Sequence, residues 1–142
     1  MSNADDWRID HTGIGVSDIR RSAEFYDAVL GALGLRPVVR ITKTFQPAGS
    51  GADSDLGGVA YGVTFPIFWI DVFHPHGVKQ HTAFRARNRE EVQAFYRAAL
   101  SNGGQGNGEP GLREGGYPPG YYAAFVLDPD GNNIEAVLRE PG

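Results

Sequence analysis

There is no cysteine anywhere in this chain. That excludes disulfides and thiolate metal sites, and it suits a reducing, cytoplasmic setting. Also missing is any apolar run near the roughly 20 residues a membrane helix needs, so no membrane partner is expected. The basic residues are scattered and the net charge is −4. Without a basic stripe or patch, neither nucleic acid nor an anionic lipid surface is an expected partner. The start, MSNADDWRID, is polar and acidic and does not read as a signal peptide.

What is present is enough for one core. With 142 residues, 41% of them hydrophobic, folding hides roughly two-thirds of the unfolded chain's surface. A single domain over 1–142 is expected, needing neither disulfide nor structural zinc. The glycines and prolines gather in connections.

The sequence also repeats. Setting His11 over His81 aligns HTGIGVSDIRRSAEFYDAVLGALG with HTAFRARNREEVQAFYRAALSNGG without gaps. His11 and His81 coincide, as do Thr12 and Thr82, Phe25 and Phe95, Tyr26 and Tyr96, and Gly34 and Gly104. A histidine start, a Phe-Tyr pair and a glycine end in one register point to two copies of one supersecondary unit. Each copy reads as strand, helix, then further strands. Ile9 to Val16 alternates as a strand. Ser17 and Asp18 are capping types, and Phe25, Val29 and Leu33 recur as a helical stripe that ends near Gly31 and Gly34. In the second copy Gln80 to Ala86 is the strand. Asn88, with Glu91 three residues on, reads as a capping box. Val92, Phe95, Tyr96 and Ala99 form the stripe.

Strand-like runs follow at Pro37 to Thr44, Val59 to Thr64, Ile67 to Phe73, Leu112 to Gly116, Tyr121 to Leu127 and Asn133 to Leu138. The expected fold class is therefore α+β, with two βαβββ modules over 7–74 and 78–140. The segment DPDG supplies the last hairpin turn, Pro129 fixing φ and Gly131 taking the left-handed position. GGQGNGEPG follows a helix rather than opening one, so it reads as a flexible connector and not a phosphate loop. AGSGADSDLGG reads as a polar loop.

Period-two alternation sorts the polar residues. If Ile14 and Val16 face the first helix, His11, Gly13 and Gly15 face away from it. If Phe84 and Ala86 face the second, His81, Ala83 and Arg85 face away. In the last strand Ile134, Ala136 and Leu138 go with the helix, and Asn133, Glu135 and Val137 do not. Three strands thus put His11, His81 and Glu135 on one kind of surface, where the small residues Gly13, Gly15 and Ala83 leave room for a ligand. Two imidazoles and a carboxylate suit a divalent first-row metal. With open positions left, such a site polarises a carbonyl, ionises a bound water or binds dioxygen. The plainer alternative for each histidine is a hydrogen-bonded strand residue. Asp10, by alternation, points the other way.

The segments DHTGIGVSDIRRSAEFY, QHTAFRARNREEVQAFY and PPGYYAAFVLDPDGNNIEAV resemble the vicinal oxygen chelate superfamily, which includes glyoxalase I, bleomycin-resistance proteins and extradiol dioxygenases. The resemblance covers nearly the whole chain. It implies a U-shaped mixed sheet around a pocket with the helices outside, a homodimer, and metal ligands on the first and last strands of each module. By that pattern one divalent ion (Fe, Zn, Ni or Mn) is held by His11, His81 and Glu135, with Glu135 also catalytic. The fourth position departs from the glyoxalase I pattern: in PIFWIDVF it falls on Trp69, which cannot bind metal. Asp71, two residues on and on the same face, is the substitute if the register is shifted. His74 and His76 read as loop residues beside Pro75 and Gly77.

Around that centre the expected substrate-binding residues are Trp69, Arg85, Tyr121 and Tyr122. Trp69 is an aromatic wall or core. Arg85 holds a substrate anion or simply faces solvent. Of the adjacent Tyr121 and Tyr122 one faces inward, and alternation alone does not say which. Tyr117 covers the pocket or plugs its loop. Two functions remain: a metal-dependent lyase, isomerase or ring-cleaving dioxygenase acting on a small oxygen-bearing substrate, and a metal-free small-molecule binding protein of the bleomycin-resistance type.

Overall fold

The computed structural model describes residues 9–49 and 55–141. The polar start, the first two residues of the first module and the middle of the AGSGADSDLGG loop lie outside them. The elements run β1 (Thr12–Gly15), α1 (Ile19–Gly31), β2 (Arg36–Thr42), β3 (Leu56–Gly62), β4 (Pro66–Asp71), β5 (His81–Arg85), α2 (Arg89–Ser101), β6 (Gln105–Leu112), β7 (Tyr121–Leu127) and β8 (Asn133–Arg139). This is the α+β, doubled βαβββ order that the repeat implies. The strands form two four-stranded sheets, β1-β4-β3-β2 and β5-β8-β7-β6. In each, the first strand pairs parallel with the last, and the other pairs are antiparallel.

The helices form where their caps and stripes place them. Asp18 caps α1, its carboxylate accepting from the Arg21 N–H at 3.2 Å. Asn88 caps α2 by accepting from the Glu91 N–H at 2.8 Å. The capping box does not close on Asn88. Glu91 reaches one residue further back, to the Arg87 N–H at 2.8 Å and the Arg87 guanidinium, because that arginine offers a charge-assisted bond as well as a backbone donor. Phe25, Tyr26, Val29 and Leu30 of α1 and Val92, Phe95 and Ala99 of α2 are fully buried. At about 1.5–3 kcal/mol for each large side chain, these stripes hold the helices on their sheets. One core spans both modules. The helices touch each other, and Phe68 of β4 meets Phe84 of β5 edge to face at 5.1 Å.

A second tie joins the modules through the DPDGNN turn. Asp128 is buried and accepts from the N–H groups of Asp130 and Asn132, from the Asn132 amide and from the Tyr26 hydroxyl of α1 at 2.6 Å. Asp130 accepts from the Ser17 hydroxyl and N–H just before α1. Gly131 has φ +87, the left-handed turn position expected of it.

Two segments differ from their sequence reading. Leu112 to Gly116 is not a strand, since β6 ends at Leu112 and a turn follows. GGQGNGEPG is not a flexible connector, since Gln105 to Leu112 form β6, paired with β7 through two register shifts. Cross-strand pairing to a well-formed neighbour outweighs the poor propensity of glycine, and an edge strand tolerates Pro110 because its missing N–H faces no partner.

Candidate metal centre and ligand cavity

The strand registers fix which residues of the two modules correspond. Gly13 of β1 lies opposite Trp69 of β4, and Ala83 of β5 lies opposite Glu135 of β8. Since Gly13 and Ala83 are each two residues past the repeated histidine, Trp69 occupies in module one the place of Glu135 in module two. The register is not shifted, so Asp71 is not the substitute. Its carboxylate is spent on its own turn, accepting from the N–H groups of Phe73 and His74 and lying 2.9 Å from His74 Nδ1.

In module two the expected pair comes together. Glu135 is 2% exposed. Its Oε1 stands 3.2 Å from His81 Nε2, and its Oε2 accepts from the Tyr121 hydroxyl. The other nitrogen of His81 lies 2.8 Å from the carbonyl oxygen of Asn133. A carbonyl only accepts, so Nδ1 carries the hydrogen and, in the neutral ring, Nε2 carries the lone pair. Two electron-pair donors then face each other, an arrangement that a proton or a metal ion between them stabilises. A proton on Nε2 gives an ion pair. A metal ion gives a coordination edge, for two ligand atoms each about 2.1 Å from one ion sit roughly 3.0–3.4 Å apart. A ring nitrogen donating to a carbonyl while its partner stays free is the support that metal-ligating histidines have. Burial first, then the hydrogen bond to Glu135 and its charge, push the Tyr121 phenol up to about 12. Tyr121 therefore stays a donor and occupies Oε2.

His11 lies in the other module. Its Nδ1 is 2.7 Å from the Asp10 carboxylate, so, as in His81, Nδ1 is the ring nitrogen engaged next to the strand. Asp10 does not point away as alternation implied: β1 begins only at Thr12, so strand parity does not reach residues 10 and 11. His11 lines a cavity of about 310 Å³ over module one, together with Ile41, Phe45, Trp69, Phe73 and His74. Phe45, held at φ +63, stacks on Phe73 at 4.7 Å. Among the described residues no three histidines or carboxylates converge as a metal site. His81 with Glu135 thus lies in one module and His11 with Trp69 in the other, and among the described residues the two pairs do not come together.

Other expectations resolve by facing. Tyr121 is the inward tyrosine. Tyr122 turns to α2, buried, with its hydroxyl accepting from Gln93 at 3.0 Å and the Arg89 guanidinium 4.3 Å above its ring, so it leaves the substrate-binding set. The sequence YYAAFVL hid this because β7 is apolar on both faces. Arg85 is exposed on the His81 face of β5. Gly15 leaves no room for a ligand: a Cβ there would lie 2.1 Å from the His74 carbonyl oxygen, so the following loop already fills that space. His76 is exposed in that loop. Tyr117 lines a second cavity, of about 330 Å³, on module two with Asn107, Arg113, Phe125 and Asn133. The sequence reading passed over Arg113, which offers no spacing signal in its loop.

Residues 8–136 match the family model for the Glyoxalase/Bleomycin resistance protein/Dioxygenase superfamily. The chain is 30% identical over 134 residues to a lactoylglutathione lyase of Escherichia coli O157:H7, covering 92% of this chain and 91% of that one. It is also 30% identical over 142 residues to a lactoylglutathione lyase of Arabidopsis thaliana, covering 96% of this chain but 46% of the plant protein. It therefore spans about half the length of its curated plant relatives. The crystal structure of a glyoxalase/bleomycin resistance protein from Albidiferax ferrireducens is 31% identical, with a TM-score of 0.66 over 92% of this chain and 98% of that one. No helix among the described residues is long and apolar enough to cross a membrane.

Proposed function

Because this chain belongs to the Glyoxalase/Bleomycin resistance protein/Dioxygenase superfamily, we propose that it is a metal-dependent enzyme acting on a small oxygen-bearing molecule. Its divalent ion (Fe, Zn, Ni or Mn) is held by His81 and Glu135 of one copy together with His11 of a second copy. The observation that carries this reading is the His81 Nε2 to Glu135 Oε1 pair at 3.2 Å, with His81 Nδ1 pinned by the Asn133 carbonyl. His11, pinned in the same way by Asp10, is the matching third donor, and its separation from the pair within one chain is why a second copy is invoked. A bound divalent ion supplies positive charge against the negative charge that develops on a substrate oxygen.

The chain's own residues do the rest. The Asn133 carbonyl fixes the His81 ring. Tyr121 holds one oxygen of Glu135 and leaves the other toward His81. Glu135 is the buried carboxylate of this face, and is therefore the group to take and return a proton beside a substrate carbonyl. The names of the relatives favour a lyase or isomerase over a ring-cleaving dioxygenase. Trp69, standing where a fourth ligand would be, leaves that side of the centre to an aromatic wall.

The test is metal content. Protein purified without chelator and then offered Fe²⁺, Zn²⁺, Ni²⁺ and Mn²⁺ binds one ion per chain, and Glu135→Ala does not. Wild type that takes up none of the four contradicts the reading. That result would favour the second function, a metal-free binder of flat apolar molecules, for which the cavity walled by Trp69, Phe45 and Phe73 speaks.

A further inference from the structure

We infer that His74, held by the carboxylate of Asp71, is a second proton carrier of this site, and that it serves an ionisable hydroxyl on a flat ligand in the cavity over module one. The inference deepens the proposed function, on which it rests only for the company of His11. That residue lines the same cavity of about 310 Å³ as Asp71 and His74. A second copy that brings His11 to the metal therefore brings the pair with it.

The pair is built from the end of β4. Asp71 is buried. Its Oδ1 accepts from the N–H groups of Phe73 and His74 at 3.0 and 3.1 Å, which curls the chain back over the carboxylate. The His74 ring is thereby set against the same group, Nδ1 standing 2.9 and 3.0 Å from its two oxygens. The main chain is held on β1 as well. The Asp71 carbonyl accepts from the Val16 N–H at 2.8 Å. The His74 and Pro75 carbonyls press so close on Gly15 that a Cβ there would lie 2.1 and 2.3 Å from them. The fold itself does not demand this carboxylate. By the strand registers Val137 stands in module two where Asp71 stands in module one.

The chemistry follows from the donors. A carboxylate only accepts, so Nδ1 carries the hydrogen, and the neutral ring has its lone pair on Nε2. Among the described residues no other group bonds this ring. A histidine oriented through Nδ1 by a carboxylate takes a proton at Nε2, and the carboxylate steadies the imidazolium that results. Phe45, Trp69 and Phe73 wall the cavity and suit a planar ligand. The step is one proton transfer: the ligand's O–H bond breaks, an Nε2–H bond forms, and the electron pair stays on the ligand oxygen. Asp71 is the positioning residue. It and His11 are the other titratable groups on this cavity.

The experiment uses the full chain kept metal-free with chelator, so that a failure of metal binding does not decide it. The probe is p-nitrophenol, whose phenolate is yellow and whose phenol is not. Its methyl ether, p-nitroanisole, is the match without a proton. At a pH about one unit below the probe's own pKa, saturating protein should raise the yellow absorbance about fivefold, since a neighbouring cation lowers such a pKa by about one unit. His74→Gln should remove the gain while p-nitroanisole binds as before. The His74 side chain is 71% exposed, so this exchange does not threaten the fold. Asp71→Asn should reduce the gain, because an amide N–H facing Nδ1 sends the ring hydrogen to Nε2, and the ¹⁵N signals of the ring read that change of tautomer. No gain on saturating wild type overturns the inference. So does a gain that survives His74→Gln, whether or not His11→Gln removes it, a neutral wild-type ring protonated at Nε2, or no binding of p-nitrophenol at about 10 mM.

Discussion

At the scale of single residues, the two repeated histidines are alike in a way their spacing does not reveal. Each has its Nδ1 engaged, by the Asp10 carboxylate or the Asn133 carbonyl. Glu135 is held similarly, by the Tyr121 hydroxyl. Partners of this kind typically contribute 10–100-fold to metal affinity. Tyr121→Phe and Asp10→Ala should therefore each weaken metal binding by about that factor while the chain stays folded. Competition against a chromophoric chelator measures it. His76→Ala, in the exposed loop, should leave the affinity unchanged, and an equal loss there would point to a nonspecific surface site.

At the scale of elements, the DPDGNN turn does more than reverse the chain. Asp128 satisfies two backbone N–H groups, an amide and the buried Tyr26 hydroxyl, and so ties the β7–β8 turn to α1. Asp128→Ala strands these donors in the interior and should cost about 3 kcal/mol, since buried unsatisfied groups cost about 1–3 kcal/mol each and more when a charge is involved. Urea unfolding reads this directly, and a loss under about 0.5 kcal/mol would mean that water reaches the turn. The elements also show what a sequence conceals. The helices were legible because Asp18 and Asn88 cap them and their stripes bury Phe25, Val29, Val92 and Phe95. The last strand was legible because Gly131 and the alternation around Glu135 agree. Strand β6 was not, since its glycines and proline carry no strand propensity and its pairing is set by β7. Tyr121 could not be told from Tyr122 in a strand buried on both faces. Asp10 was misplaced because alternation was extended past the end of β1. The family resemblance set Trp69 at the position matching Glu135, and the registers pair Trp69 with Gly13 as they pair Glu135 with Ala83.

At the scale of the whole molecule, three tyrosines are set against carboxylates. Tyr26 donates to Asp128, Tyr61 to Asp27 and Tyr121 to Glu135. Burial first, and then the neighbouring carboxylate, raise all three phenols above their ordinary value of 10.0. The folded state therefore holds these protons more tightly than the unfolded chain does. Their contribution is full below the unfolded value and is lost as pH climbs through the raised folded values. The urea midpoint should be insensitive to these groups below about pH 10 and fall above it. In Tyr121→Phe the fall should be shallower. A midpoint that rises above that pH would contradict the assignment.

The same scale holds the central claim, that the metal site is shared between two copies. His81 and Glu135 lie in one module and His11 in the other, and within one chain they do not converge. The most direct measurement mixes two inactive chains. His11→Ala and Glu135→Ala, carrying different tags, are refolded together, and the doubly tagged heterodimer is isolated for metal analysis. Each variant alone should bind no metal, because both of its sites lack a ligand. The heterodimer should recover one metal per dimer, because one of its two shared sites is intact. A heterodimer without metal, beside a wild type that binds one ion per chain, would contradict the account.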